Sequence, residues 1–356
     1  MLDSTLLVPG TSGCKLLANG ADIGWPTELM GEAWLAGATG ISVEFEKLGL
    51  SFSTQQLTEL LSMEFAAGST VPAKTSLAAG KSIAPGEILR AAYNQFLDFQ
   101  VFSYDWRSDL RHTGQLLLDR LKNRPAGSKW RIVAHSQGGL AVVVASKLYA
   151  AEHGGSDTAF ADLVSHVAFI ATPFHGTINA ARALLVADNL TPPFAAAFKK
   201  IVRTWPAIHQ MLPVWPGCVR TTTPRNDTPQ FNLTYEVPWA GLSVSSDMLK
   251  RARDTRAQFL RNPFSCLLNV KVLAYFSEAW NTANHLLLDG ATLKIAPDAD
   301  GERGDTLVPA QTIRTMSHQI ELDRFFMLGR DHQTMPHFML SIDNVVAPHV
   351  KAFLNT

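Results

Sequence analysis

A chain of 356 residues that is 46% hydrophobic can bury a large core, and at 17% charged residues it is too sparsely charged for a disordered polymer. Its 31 Lys and Arg balance its 31 Asp and Glu, and no basic run appears, so no nucleic-acid partner is expected. The densest basic patch, Lys250-Arg251-Ala252-Arg253, is followed by Asp254 and reads as a solvated helix face. Cys14, Cys218 and Cys266 are far apart, giving neither a disulfide framework nor a CxxC pair for zinc. The N-terminus lacks a basic, apolar leader and no stretch is apolar for the length of a membrane span, so a cytoplasmic protein is the expectation.

In chain order, short apolar runs ending in turn residues predict strands. These are Leu6 to Val8, Gln100 to Tyr104, Trp130 to Ala134, Val164 to Ala171, Val270 to Phe276 and Ile320 to Leu328. Runs this short and continuous suit strands buried on both faces of a parallel sheet. Helical patterns at Leu110 to Leu121, Gly139 to Ala151 and Val345 to Leu354 alternate with them, which predicts an α/β fold with a mostly parallel sheet of about six strands. Two stretches break the rhythm. Residues 20–90 hold no clean strand and are expected to be a helical excursion. Residues 176–265 form a long insertion in which Phe194, Phe198, Ile201 and Trp205 follow helical spacing, as core or as a cleft wall. The expected division is therefore a core over 1–175 and 266–356, with a mainly helical cap or lid over 176–265.

The stretch Trp130 to Gly139 carries the chemistry. A strand runs into Ala134-His135-Ser136-Gln137-Gly138-Gly139 and then into a helix of small and apolar residues. This is a G-x-S-x-G elbow with Ala134 in place of the first glycine. Such a turn is tight because the serine hydroxyl must project above the sheet, and it requires small residues two before and two after the nucleophile. Ser136 is the expected nucleophile. Acyl transfer passes through a tetrahedral oxyanion held by two backbone N–H groups. One is expected from Gln137. The other is expected from the loop Pro9 to Cys14, from Thr11 first and Ser12 second.

In this kind of fold the acid and then the base follow the serine in the chain. Asp305, in Gly304-Asp305-Thr306-Leu307-Val308-Pro309, fits the acid, with Asp298, Asp300 and Glu302 as competitors. The base should lie between the last strand and the last helix. His332 is chosen on that position, with His337 and His349 as alternatives. His135 adjoins the nucleophile and reads as a packing or hydrogen-bonding residue. His175 opens the insertion and could border the cleft.

Several of these motifs together resemble the lecithin:cholesterol acyltransferase and lysosomal phospholipase-like branch of α/β-hydrolases. Val8 to Leu16 is similar to that family's first-strand Pro-Gly loop, Tyr104-Asp105-Trp106-Arg107 to its Tyr-Asp-Trp-Arg signature, and Ile170 to Thr177 to its Thr-Pro-x-x-Gly turn. Trp205 to Pro213 resembles a cap segment, and Gly304 to Pro309 an acid motif that lacks the second glycine. Cys14 stands where a serine-like residue is usual. The resemblance implies an acyl-ester substrate, a cap over the site, the acid at Asp305, an oxyanion donor at Thr11, and no metal or organic cofactor. It also suggests transient contact with a membrane surface, for which Trp25, Leu29, Met30 and Trp34 are candidates.

The expected function is a serine-dependent carboxylic-ester hydrolase, esterase or lipase-like, acting on a small-molecule or lipid ester through an acyl-enzyme on Ser136. Acyl transfer to an alcohol uses the same machinery and is the first alternative. A ligand-binding protein on a hydrolase fold is the second. A thioesterase or amidase would use the same triad.

Overall fold

A computed structural model describes residues 4–23, 51–75, 77–82, 99–185, 191–221, 232–235, 239, 241–289, 292–296, 302–314, 316, 325–328, 337, 340 and 343–356. The central sheet has six strands: β1 Ser4–Val8, β2 Phe99–Val101, β3 Trp130–His135, β4 Val164–Ile170, β5 Lys271–Ser277 and β6 Phe325–Leu328. Their order is β6-β5-β4-β3-β1-β2, and all five pairings are parallel. Each strand overlaps an apolar run predicted from the sequence.

Those runs are continuous because both faces are covered. Leu6, Val8, Ile132, Ala134, Val272, Ala274 and Phe276 belong to one hydrophobic cluster. Their neighbours Leu7, Val133, Leu273 and Tyr275 belong to a second, which packs on Val346, Ala347, Val350 and Leu354 of the last helix. A period of two sends alternate side chains to opposite faces, so neither face of these strands can be polar.

The helices, in chain order, are α1 Thr54–Leu61, α2 Leu110–Lys122, α3 Gln137–Glu152, α4 Ile178–Leu185, α5 Pro192–Val202, α6 Pro206–Gln210, α7 Ser246–Thr255 and α8 Val346–Leu354. α3 is buried nearly all round along its first three turns, which explains its Ala, Val and Leu composition. The insertion between Ala171 and Val270 is mainly helical, through α4 to α7. Phe198, Ile201 and Trp205 of the predicted stripe are buried and Phe194 packs against the same cluster, so the stripe is core. The mainly parallel sheet with flanking helices and a helical insertion is an α/β-hydrolase fold.

Residues 20–90 depart from the expectation of a strand-free helical excursion. Their described part holds one helix, α1, together with short strands. Leu77–Ser82 pairs antiparallel with Cys14–Ala18, which also pairs with Ala21–Asp22. Small residues in Leu77-Ala78-Ala79-Gly80-Lys81-Ser82 hide this strand from a pattern search, because it pairs at the margin and not in the core. Trp25, Leu29, Met30 and Trp34 lie outside the described residues. No helix among the described residues is long and apolar enough to cross a membrane. Cys14, Cys218 and Cys266 are buried free thiols.

The strand order reverses between β1 and β3: β2 lies to one side of β1, and the chain crosses back to β3 on the other. Such a switch point opens a crevice beyond the carboxyl ends of the two strands. Val8 pairs with Ala134 there, so the loop after β1 and the elbow after β3 leave the sheet side by side. Gly138 seals that junction: an added Cβ would sit 2.2 Å from the Val8 carbonyl oxygen and 2.6 Å from that of Pro9. Gly138→Ala is therefore expected to cost at least about 2 kcal/mol in urea unfolding; an unchanged midpoint would contradict this packing.

Candidate functional site

Ser136 sits between the last residue of β3 and the first of α3 with φ 53° and ψ −128°, a backbone conformation that non-glycine residues rarely adopt. A strained turn of this kind costs about 1–3 kcal/mol and persists only when its surroundings hold it. Two backbone bonds do so: Ser136 N–H donates to Ile170 O at the end of β4 (2.9 Å), and Gly139 N–H donates to Ser136 O (3.0 Å). Gly10 leaves space for the elbow, since a Cβ there would meet Ser136 Cβ at 2.7 Å. Ala134 at the first elbow position is fully buried and pairs with Val8 without obstruction.

The imidazole at the serine belongs to His337. The Ser136 hydroxyl lies 2.8 Å from His337 Nε2, and His337 Nδ1 lies 2.8 Å from Asp305 Oδ2. With Nδ1–H donating to the carboxylate, Nε2 is left as the acceptor for the serine proton. The other carboxylate oxygen, Asp305 Oδ1, accepts from the N–H groups of Leu307 (3.0 Å) and Val308 (2.8 Å). His337 N–H also donates to Asp305 O (2.7 Å), so backbone and ring are fixed together. Asp305 is buried and Ser136 is 8% exposed.

The sequence choice of His332 for this position is thus corrected in favour of its alternative, His337; His332 lies outside the described residues. Both histidines follow β6 and precede α8, so the positional rule selects the connection and not the residue within it. Asp298 and Asp300 also lie outside the described residues. Glu302 stands in the strand Glu302–Gly304 that leads into Asp305. His349 pairs with Tyr275 Oη on the opposite face of the sheet.

His135 has a role that the sequence left general. Its Nε2–H donates to the His337 carbonyl (2.8 Å), and the two rings lie 5.1 Å apart. Burial, reinforced by the neighbouring His337, lowers the pKa of His135 to about 3. It is a neutral brace beneath the His337 backbone.

Thr11 and Gln137 meet directly: Thr11 Oγ1–H donates to Gln137 Oε1 (2.6 Å), and Gln137 Nε2–H donates to Trp106 O (2.9 Å). Ser12, the second choice, has φ 61° and a buried hydroxyl with no partner among the described residues. The segment Tyr104 to Arg107 holds the loop that carries Thr11. Tyr104 Oη–H donates to Pro9 O (2.6 Å) and Trp106 Nε1–H donates to Cys14 O (3.1 Å), one clamp at each end of the loop. Arg107 is fully buried and grips both Asp105 carboxylate oxygens, with a further bond to Leu61 O (2.8 Å). A bidentate pair with backbone satisfaction is the arrangement that makes a buried guanidinium tolerable.

A narrow cavity of about 70 Å³ lies over Ser136 and His337, between Thr11 and the insertion. Ala180 and Ala183 of α4, Ile208 of α6, Met211, Leu307 and Val308 make its walls mainly apolar. Few solvent dipoles compete in such a space, so fixed N–H donors act more strongly there than in water. His175 does not face this cavity but a neighbouring one. Among the described residues no three His, Cys, Asp or Glu side chains converge to hold a metal ion.

No family model matches the chain, and no curated protein matches it. Solved structures do. A chain of the Tle4–Tli4 complex aligns over 99% of this chain and 97% of its own length, with TM-score 0.57 and 13% identity. The mature lipase BlEst2 of Bacillus licheniformis covers 74% of this chain and 81% of its own, at 16% identity and TM-score 0.37. Phospholipase PlaB of Legionella pneumophila, in complex with thio-NAD, covers 54% of this chain and 34% of its own, at 14% identity and TM-score 0.27. Only the first of the three superposes closely enough to count, and at that identity it shows a shared fold alone.

If Tyr104 acts by holding the first loop, Tyr104→Phe should lower kcat about ten-fold with little change in KM, matching the loss of one buried hydrogen bond. A change confined to KM, or unaltered kinetics, would contradict that role.

Proposed function

We propose that the protein is a serine-dependent carboxylic-ester hydrolase working through an acyl-enzyme on Ser136, with His337 as general base and acid and Asp305 as its orienting carboxylate. The 2.8 Å contact between Ser136 Oγ and His337 Nε2 carries this reading, backed by the 2.8 Å contact from His337 Nδ1 to Asp305. Three groups from three separate loops do not converge in a relay of this kind for packing alone.

In the proposed reaction Ser136 Oγ attacks the ester carbonyl while its proton passes to His337 Nε2. The carbonyl oxygen gains the negative charge and is received by the backbone N–H groups of Thr11 and Gln137. Gln137 is the first residue of α3, whose dipole favours charge at that end. Each such donor typically supplies about 3–4 kcal/mol of transition-state stabilisation. The intermediate collapses, the C–O bond breaks, and His337 returns the proton to the departing alcohol. Water then attacks the acyl-enzyme by the same proton path, releasing the acid and restoring Ser136. Asp305 keeps the tautomer correct and stabilises the imidazolium, without itself taking the proton.

The apolar walls suit the hydrocarbon part of an acyl group. The cavity is small, about 70 Å³, which favours short acyl chains unless the insertion shifts. A fluorophosphonate probe is expected to label the protein on Ser136 and to leave Ser136→Ala unlabelled. Asp305→Asn should hydrolyse p-nitrophenyl butyrate with kcat lowered by about 10⁴-fold. Absence of an adduct on folded wild-type protein would instead favour a ligand-binding role.

A further inference from the structure

The turn that carries the Asp305 carboxylate is itself strained. Thr306 follows Asp305 with φ 88°, a region open to glycine and costly for a β-branched side chain. Strain of that kind persists only where the surroundings hold it. Bonds within the turn do not supply an independent hold. Asp305 Oδ1 accepts from the N–H groups of Leu307 and Val308, so those bonds tie the carboxylate to the turn and move with it. If the backbone at Thr306 relaxed, the Leu307 N–H would swing away and the carboxylate would lose its aim at His337.

Two threonines from outside the turn hold it. Thr306 N–H donates to Thr282 Oγ1 (3.0 Å). Thr282 is buried and ends the strand Trp280–Thr282, which pairs with Glu302–Gly304 immediately before Asp305. From the insertion, the buried Thr177 hydroxyl donates to Leu307 O. A hydroxyl has one proton to give, and Thr177 Oγ1 spends its acceptor side on Asn179 N–H (3.2 Å), so both of its roles are fixed. Thr177 N–H donates to Met211 O (2.9 Å), which seats the residue just before α4. Leu307 is thereby gripped at both ends of its backbone, its N–H by Asp305 and its carbonyl by Thr177. Asn179 Nδ2–H reaches the same carbonyl only at 3.4 Å.

We propose that Thr177 and Thr282 are positioning residues: together they clamp the strained turn at Thr306 and so keep the Asp305 carboxylate aimed at His337 Nδ1. The proposal rests on the reading of Ser136, His337 and Asp305 given above. Starting α4 accounts for the bond from Thr177 to Asn179, and strand pairing accounts for the place of Thr282. Neither accounts for two hydroxyls from separate segments meeting on one strained turn. Through Thr177 the insertion that walls the cavity also sets the geometry of the relay beneath it.

Two readouts on the full chain test this: p-nitrophenyl butyrate kinetics, and the low-field proton resonance of the imidazole N–H that faces Asp305, assigned by its loss in His337→Gln. Thr177→Val keeps the side-chain shape and removes the donor. It should lower kcat about ten-fold with KM within about two-fold of wild type, as the loss of one buried hydrogen bond implies, and it should weaken the resonance. Thr177→Ser should restore both. Glycine accepts a positive φ without strain, so in a Thr306→Gly background Thr177→Val should cost at most about two-fold in kcat. Thr282→Val, remote from the insertion, should show the same dependence on background, which keeps the test open if Thr177→Val does not fold. Wild-type kcat in folded Thr177→Val, or equal losses in the two backgrounds, would overturn the proposal. If the wild type turns over no ester, the reading of Ser136 fails, and the resonance still decides the clamp: an unchanged line in Thr177→Val or Thr282→Val would overturn it.

Discussion

The site rests on the close approach of two backbones where the strand order reverses. Val8 and Ala134 are paired neighbours, and beyond them the first loop and the serine elbow run so near each other that Gly10 and Gly138 have no room for a side chain. Strain at Ser136 is sustainable because the parallel pairing of β1, β3 and β4 fixes both sides of the turn. If those strands were held less firmly, the serine would relax from its positive φ and its hydroxyl would no longer face the loop.

Around that junction, bonds between buried polar groups connect elements distant in sequence. Tyr104 and Trp106 tie the end of β2 to the first loop, and Gln137 ties the elbow to both Thr11 and Trp106. Trp205, at the start of α6, donates to Leu61 O and packs edge-on against Trp106 with centroids 5.5 Å apart. Gln210 at the end of α6 accepts from Leu110 N–H and donates to Asp109 and Thr255. The insertion is therefore anchored to the same segment that holds the first loop, so the walls of the cavity and that loop share one support. Connected networks of this kind favour one arrangement over its neighbours, because a partial rearrangement leaves further buried donors or acceptors bare.

Much of this was legible in the residues, for physical reasons that differ from place to place. The six sheet strands were readable because double-sided burial forces continuous apolar runs. The elbow was readable because close backbone approach demands Gly and Ala around a serine. Asp305 was singled out by a compact Gly-to-Pro turn, and the turn does hold the carboxylate with two of its own N–H groups. His337 was only an alternative, since the sequence between β6 and α8 contains two histidines and no periodicity tells them apart. The strand Leu77–Ser82 was missed because its small, mixed side chains carry no alternation. The partnership of His135 with the His337 carbonyl joins residues from two loops and has no local signal.

The most direct test is a kinetic comparison of two single variants, His337→Gln and His332→Gln, on one soluble p-nitrophenyl ester, with folding checked by circular dichroism. The account predicts that His337→Gln loses at least about 10³-fold in kcat, while His332→Gln stays within a few-fold of wild type. Near-normal turnover in His337→Gln, with the loss appearing in His332→Gln instead, would contradict it.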